Sequence, residues 1–266
     1  MSVTSITSTS NPKIKNLKLL QKSKERKQQN LFVIEGLKEI EKATNAGIKL
    51  RQAFYCLELI DEVTLDKLIG RQASKMELFE VSNKVFNHIA YREDSGGILV
   101  TAIPKSAGLD DFLPSENPFF VVVESVEKPG NLGALLRTSD AAGIDGLIVC
   151  DPKTDIYNPN VIRSSIGCVF TVPTFVVESQ AAIDWLQDHD INIYGAALTA
   201  SKPYHQVDFK KPSAIVMGTE STGLSDSWLK NSTQNIIIPM RGVADSMNVS
   251  TSAAVLVFEA IRQRTA

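Results

Sequence analysis

Nowhere among the 266 residues does an uninterrupted apolar run approach the roughly 18 residues that a membrane-spanning helix needs. The opening, MSVTSITSTSNPKIK, lacks the apolar centre and cleavage pattern of a secretion signal and reads as a short, frayed start. Cysteine is scarce. Cys56, Cys150 and Cys168 form no CxxC pair, and their odd number argues against a disulfide framework. They read as small core residues of a reduced, cytoplasmic protein. The three histidines, His88, His189 and His205, stand apart from cysteine pairs and form no HExxH motif, so no metal site is expected. There is no GxxxxGK[ST] phosphate loop, no GxGxxG after a strand and no GxSxG elbow. NTP hydrolysis, ordinary dinucleotide binding and serine hydrolysis therefore have no support.

What is present suffices for a sizeable core: 43% of residues are hydrophobic and 22% charged, enough for one large domain or two ordinary ones. The net charge of −2 is unevenly spread. Residues 1–105 carry an excess of Lys and Arg, and the remainder an excess of Asp and Glu. Such asymmetry predicts two domains with different partners, the basic one suited to a polyanion.

Residues 11–29 read as one helix capped by Asn11, with Pro12 in the first turn, where its missing N–H costs nothing. Seven cations (Lys13, Lys15, Lys18, Lys22, Lys24, Arg26 and Lys27) oppose one acid, Glu25. Two readings stay open: a solvated helix face, or a surface for RNA phosphates. Strands at 31–35, 50–56, 77–82 and 97–104 alternate with helices, which predicts a small α/β module over 1–105. A proline-bearing segment, 106–117, is the expected linker. A second α/β module over 118–266 opens with FFVVVESV, the near-continuous apolar strand of a buried parallel sheet. Further strands are expected at 146–150, 170–177, 191–198, 213–218 and 235–240, and a closing helix from Val249.

In parallel α/β sheets ligands bind at the carboxyl ends of strands, and three polar blocks fall there. The first, 127–143, brings Asn131 and Arg137; an N-cap and a surface arginine are their ordinary structural explanations. The second, 215–226, sets Glu220 between Gly218 and Gly223, where a plain turn is the alternative. The third, 236–255, crowds Ser246, Asn248, Ser250 and Ser252 before and into an apolar helix, more than capping requires.

The three blocks, in this order and spacing, closely resemble the motifs of the SpoU/TrmH-type RNA ribose methyltransferases, a branch of the SPOUT superfamily. Asn131, Gly133, Arg137, Thr138 and Gly143 match the first motif, and Gly218, Glu220, Gly223 and Leu224 the second. Ile238, Pro239, Met240, Gly242, Ser246, Asn248, Val249, Ser250, Ala253, Glu259, Arg262 and Gln263 match the third. Met247 stands where leucine is usual and Ser221 where glycine is common. The N-terminal stretch SNPKIKNLKLLQKSKERKQQNLFVIEG is similar to the substrate-binding domain of the two-domain members.

The resemblance implies an α/β fold in two parts: a small N-terminal α/β RNA-binding domain, and a mostly parallel SPOUT domain with a deep trefoil knot. It implies S-adenosylmethionine as cofactor, beside Gly218, Ile238 and Met247, with Leu198 and Thr199 from the preceding strand end. Arg137 would be catalytic, aided by Asn131, Glu220, Ser246 and Asn248. The partners implied are RNA, ribosomal before transfer RNA, and a second copy of the chain in a homodimer. A non-catalytic RNA binder and a base methyltransferase are the rival readings.

Overall fold

A computed structural model describes residues 3–92, 95–105, 108–198, 201–219 and 221–265. Glu220 and Thr199, two of the expected site residues, lie outside them. The chain forms two compact units, one of residues 1–105 with 155–171 and one of residues 106–154 with 172–266.

The first unit begins with β1 (Val3–Ile6), which pairs in parallel with a later strand. The expected frayed start is thus corrected: Ile6 is buried, and the backbone N–H of Ser82 donates to its carbonyl. The expected single basic helix is two, α1 (Pro12–Leu19) and α2 (Ser23–Gln29). Asn11 caps α1, its side chain accepting from the Lys13 N–H. The break follows from Arg26, whose guanidinium donates to the carbonyls of Leu20 and Gln21 and so satisfies the turn between the helices. The chain continues through β2 (Phe32–Glu35), α3 (Leu37–Asn45), β3 (Leu50–Tyr55) and α4 (Glu62–Ile69). It then forms β4 (Glu77–Val81), α5 (Asn83–Ile89) and β5 (Ile98–Ala102). The sheet order is β1-β4-β3-β5-β2; β5 runs antiparallel to both of its neighbours. Ile14 and Leu17 of α1 pack with Phe54, Phe79, Phe86 and Ile89 in the core.

The second unit starts with β6 (Phe119–Glu124), all six residues buried, as the apolar run predicts. Next come α6 (Pro129–Ala142) and β7 (Gly146–Cys150). Residues 155–171, including α7 (Pro159–Ser164), belong to the first unit, although the sequence alone assigns them to the second module. The second unit resumes with β8 (Thr174–Val177), α8 (Ser179–Asp188), β9 (Asn192–Ala196) and the two-residue β10 (Lys202–Pro203). It ends with β11 (Ser213–Met217), α9 (Asp226–Asn231), β12 (Gln234–Ile237) and α10 (Val249–Thr265). The seven strands are all parallel, ordered β10-β12-β9-β11-β6-β7-β8. The chain steps from β6 to β7 and β8 on one side and places β11, β9 and β12 on the other. The switch point of the sheet therefore falls between β6 and β11, where ligands of such sheets bind. Phe120, Ile148, Phe175, Trp185 and Trp228 anchor the core between the sheet and helices α8 and α9.

Candidate active site

A cleft of about 230 Å³ opens at the carboxyl ends of β6 and β11. Its walls include Glu124, Ser125, Lys128, Asn131, Gly218, Thr219 and Val249, which draws all three polar blocks to one place. Helix α6 begins at Pro129 after Lys128, so Asn131 lies inside the first turn rather than at the cap. The capping explanation for Asn131 therefore falls. Its side-chain oxygen instead accepts from Asn248 Nδ2 at 3.2 Å. Asn248 does act as a cap: its own side-chain oxygen accepts from the N–H and hydroxyl of Ser250, at 3.0 and 2.6 Å. One residue thus starts α10 and ties it to α6, against which α10 packs.

Gly218 and Gly223 close the second block into a tight loop. Thr219 N–H donates to the Gly223 carbonyl at 3.1 Å, and Gly223 N–H returns the bond at 3.2 Å. A Cβ on Gly218 would overlap the Gly223 carbonyl group and the Leu224 nitrogen, and Gly223 itself sits at φ +69°. Only glycine fits both positions. Leu198, just past the end of β9, is 63% exposed, and Ile238 and Met247 are half-buried. Exposed apolar surface and bare backbone at neighbouring strand ends suit a ligand held by van der Waals and backbone contacts.

Arg137, Ser246, Leu198, Ile238, Met247 and Asn248 are not among the residues that line the cleft, although Asn248 reaches its wall through Asn131. Arg137 is exposed on α6 and makes no hydrogen bond or ion pair with another described residue. Ser246 is exposed, its hydroxyl donating to Asp245 at 3.4 Å. In the first unit, Lys15, Lys18, Lys22, Lys24 and Lys27 are exposed, while Lys13 is half-buried and pairs with Glu77 at 2.6 Å. Arg26 is 3% exposed and bound to Asp155 at 2.7 Å, so its burial and ion pair serve the fold rather than an exposed RNA-binding face.

Glu124 and Ser125 escaped sequence reasoning. Glu124 is buried at the end of β6 and accepts from the Ser225 N–H at 2.8 Å, pinning the chain just beyond Gly223. An acid closing an otherwise apolar strand was the available signal. Ser125 adopts φ +52°, a left-handed conformation that costs a non-glycine residue energy and recurs at binding sites; composition gives no sign of it. Burial pushes the Cys150 thiol far above its ordinary range, which leaves it a core residue and no nucleophile. Among the described residues, no group of three or more His, Cys, Asp or Glu is placed to hold a metal ion.

Residues 118–258, which build this cleft, match the model of the SpoU rRNA methylase family, and residues 11–100 match an MRM3-like substrate-binding domain. The chain belongs to the SpoU rRNA methylase family. Among similar proteins is the 23S rRNA (guanosine(2553)-2′-O)-methyltransferase RlmP of Bacillus subtilis, 27% identical over 95% of this chain and 97% of that one. Another is the 23S rRNA (guanosine-2′-O-)-methyltransferase RlmB of Ralstonia nicotianae, 31% identical over 75% of this chain and 82% of that one. The AdoMet-bound rRNA methyltransferase from Sinorhizobium meliloti superposes with a TM-score of 0.91 at 29% identity, covering 98% of each chain. An RNA 2′-O ribose methyltransferase gives a TM-score of 0.84 at 38% identity over 98% of this chain and all of that one.

Proposed function

We propose that this protein is an S-adenosylmethionine-dependent methyltransferase acting on a ribose 2′-hydroxyl of ribosomal RNA. The Asn131–Asn248 hydrogen bond at the mouth of the cleft carries the reading. It joins the first and third motifs at the switch point of the sheet, with the Gly218 loop as the third wall. The residues fit the cofactor: Gly218, Leu198, Ile238 and Met247 offer backbone and apolar contact, and Thr199 belongs to the same proposed set. S-adenosylmethionine supplies the methyl group.

The remaining chemistry falls to the chain. A 2′-hydroxyl is a weak acid, and its oxygen gains negative charge as its proton leaves. Arg137, with a guanidinium pKa above about 12, is a poor base but a strong stabiliser of that charge. Asn131 and Asn248 orient the ribose, Ser246 completes the site, and Glu220 orients Arg137 or the substrate. Because Arg137 is exposed and absent from the walls of the cleft, the reading includes a homodimer in which it serves a site completed by a second copy. A trefoil knot belongs to the same proposal. Its support is that β12 lies between β10 and β9, while α10 returns to pack against α6 and β11.

Residues 1–105 are assigned as the RNA substrate-binding domain, 106–117 as the linker and 118–266, apart from the 155–171 segment that folds with the first unit, as the methyltransferase domain. The exposed lysines of α1 and α2 would meet RNA phosphates. No helix among the described residues is long and apolar enough to cross a membrane, and a cytoplasmic site of action suits the substrate. The reading is tested with labelled S-adenosylmethionine and protein-free 23S ribosomal RNA. Transfer of label by the native protein and its loss in Arg137→Ala, with cofactor binding retained, are the expected results. Full activity in Arg137→Ala would defeat the assignment.

A further inference from the structure

The match to the substrate-binding domain ends at residue 100, yet the first unit also contains residues 155–171. That segment is firmly held. Asp155 binds the buried Arg26, and Tyr157 stacks on Phe32 with ring centroids 4.3 Å apart. The Tyr157 hydroxyl donates to the Lys105 carbonyl at 2.9 Å, and Val161 and Ile162 are buried. Arg163 of this segment is exposed, and its guanidinium lies 5.5 Å from the centre of the Tyr91 ring.

Tyr91 is 48% exposed, a large aromatic surface to leave in water. Its backbone is fixed from below, because the Glu35 carboxylate accepts the N–H groups of Tyr91 at 3.0 Å and Arg92 at 3.2 Å. Tyr91, Arg92 and Arg163 line a groove whose other walls include Leu17, Gln21 and Pro159. Leu17 belongs to α1, so the groove adjoins the helix that carries the exposed Lys15 and Lys18. Arg92 is paired with the buried Glu39 at 3.5 Å, and Glu35 also lines the groove. The groups left to meet a ligand are the Tyr91 ring, the Arg163 guanidinium and the Gln21 amide. Beside the α1 lysines they match the way proteins take hold of unpaired RNA bases.

We infer that residues 155–171 form part of the RNA-reading surface, and that Tyr91 and Arg163 make a subsite for one unpaired nucleobase. The inference rests on the ribosomal-RNA reading above. The ring supplies the stacking face, the Arg163 guanidinium fixes the edge of the stack, and the α1 lysines neutralise the neighbouring phosphates. Glu35 is a positioning residue that holds Tyr91 in place.

The test is steady-state methylation of protein-free 23S ribosomal RNA by Tyr91→Ala, Tyr91→Phe and Arg163→Ala, with cofactor affinity measured by calorimetry. Tyr91→Ala and Arg163→Ala should raise KM for RNA roughly tenfold, the scale of one missing base stack, with kcat and cofactor affinity unchanged. Tyr91→Phe should stay within about twofold of the native protein, since the stacking face survives. An unchanged RNA KM in Tyr91→Ala overturns the subsite, and so does an equal loss in Tyr91→Phe and Tyr91→Ala. If Arg163→Ala proves unstable by thermal melting, the two Tyr91 variants decide, because the ring is half-exposed and its removal opens no core. A native protein that methylates no ribosomal RNA would instead defeat the functional reading itself.

Discussion

The side-chain amide of Asn248 donates to the side-chain oxygen of Asn131 across 3.2 Å, linking residues 117 positions apart in the chain. The bond fixes the start of α10 against the first turn of α6, beside the Gly218 loop. A small shift of either helix would displace every group at the mouth of the cleft. Asn131→Ala should therefore lower kcat about 100-fold, the scale of misplacement near a reacting centre, with KM for RNA little changed. Asn248→Ala should do the same, and the double variant should lose little more than either single one. Additive losses in single-turnover rates would show that the two residues act separately.

Arg137 and Asn131 lie on one helix but not on one wall of the cleft. If each site draws Arg137 from a second copy, mixing inactive Arg137→Ala with inactive Asn131→Ala should restore activity, since a mixed dimer contains one site with both residues intact. Random mixing predicts about a quarter of native activity. No recovery, with mixed dimers demonstrated by differently tagged chains, would place Arg137 and Asn131 in the same copy's site.

Much of this arrangement was legible from the chain, and what was hidden has physical causes. The six buried residues of β6 and the apolar periodicity of α10 announce themselves because burial selects residue type. Asn131 was visible as a polar residue after a buried strand, but its partner was not. Pairing over such a distance depends on how α10 returns to α6, which local pattern does not encode. The break between α1 and α2 was hidden because Arg26 reads as one more cation in a basic run. Only its burial against Asp155 and two carbonyls reveals a structural role. β1 was missed because Val3–Ile6 is short and three of its four residues are exposed, leaving Ile6 alone to mark it.

Arg26→Ala should destabilise the first unit by about 3–5 kcal/mol, because it leaves the Asp155 carboxylate and two carbonyls without their partner. Chemical denaturation checks this. A change below about 0.5 kcal/mol, the range of ordinary surface substitutions, would contradict the structural role.

The exposed lysines make a separate claim. Binding of native protein to 23S ribosomal RNA should weaken steeply with salt, as displaced counterions return to the phosphates. Replacing Lys15, Lys18, Lys22, Lys24 and Lys27 together by Ala should flatten the log–log slope by roughly 0.7–0.9 for each phosphate that is no longer neutralised. Filter binding between about 50 and 200 mM salt reads this out. An unchanged slope would return these helices to the status of a solvated face.

Gly218→Ala should abolish cofactor binding, because its methyl group would collide with the Gly223 backbone, where no flexible side chain can yield. The loop must open, costing about 1–3 kcal/mol and the shape of the cleft wall. Calorimetric titration with S-adenosylmethionine decides it, and native affinity in the variant would remove this loop from the cofactor site.

The central claim is chemical: a methyl group passes to a ribose oxygen of ribosomal RNA. It is tested most directly by incubating the purified protein with S-adenosylmethionine and protein-free 23S ribosomal RNA, then identifying the modified nucleoside by mass spectrometry. One 2′-O-methylated nucleoside is expected, with the added mass on the sugar fragment. A methyl group on the base fragment, or no methylated nucleoside at all, would contradict it.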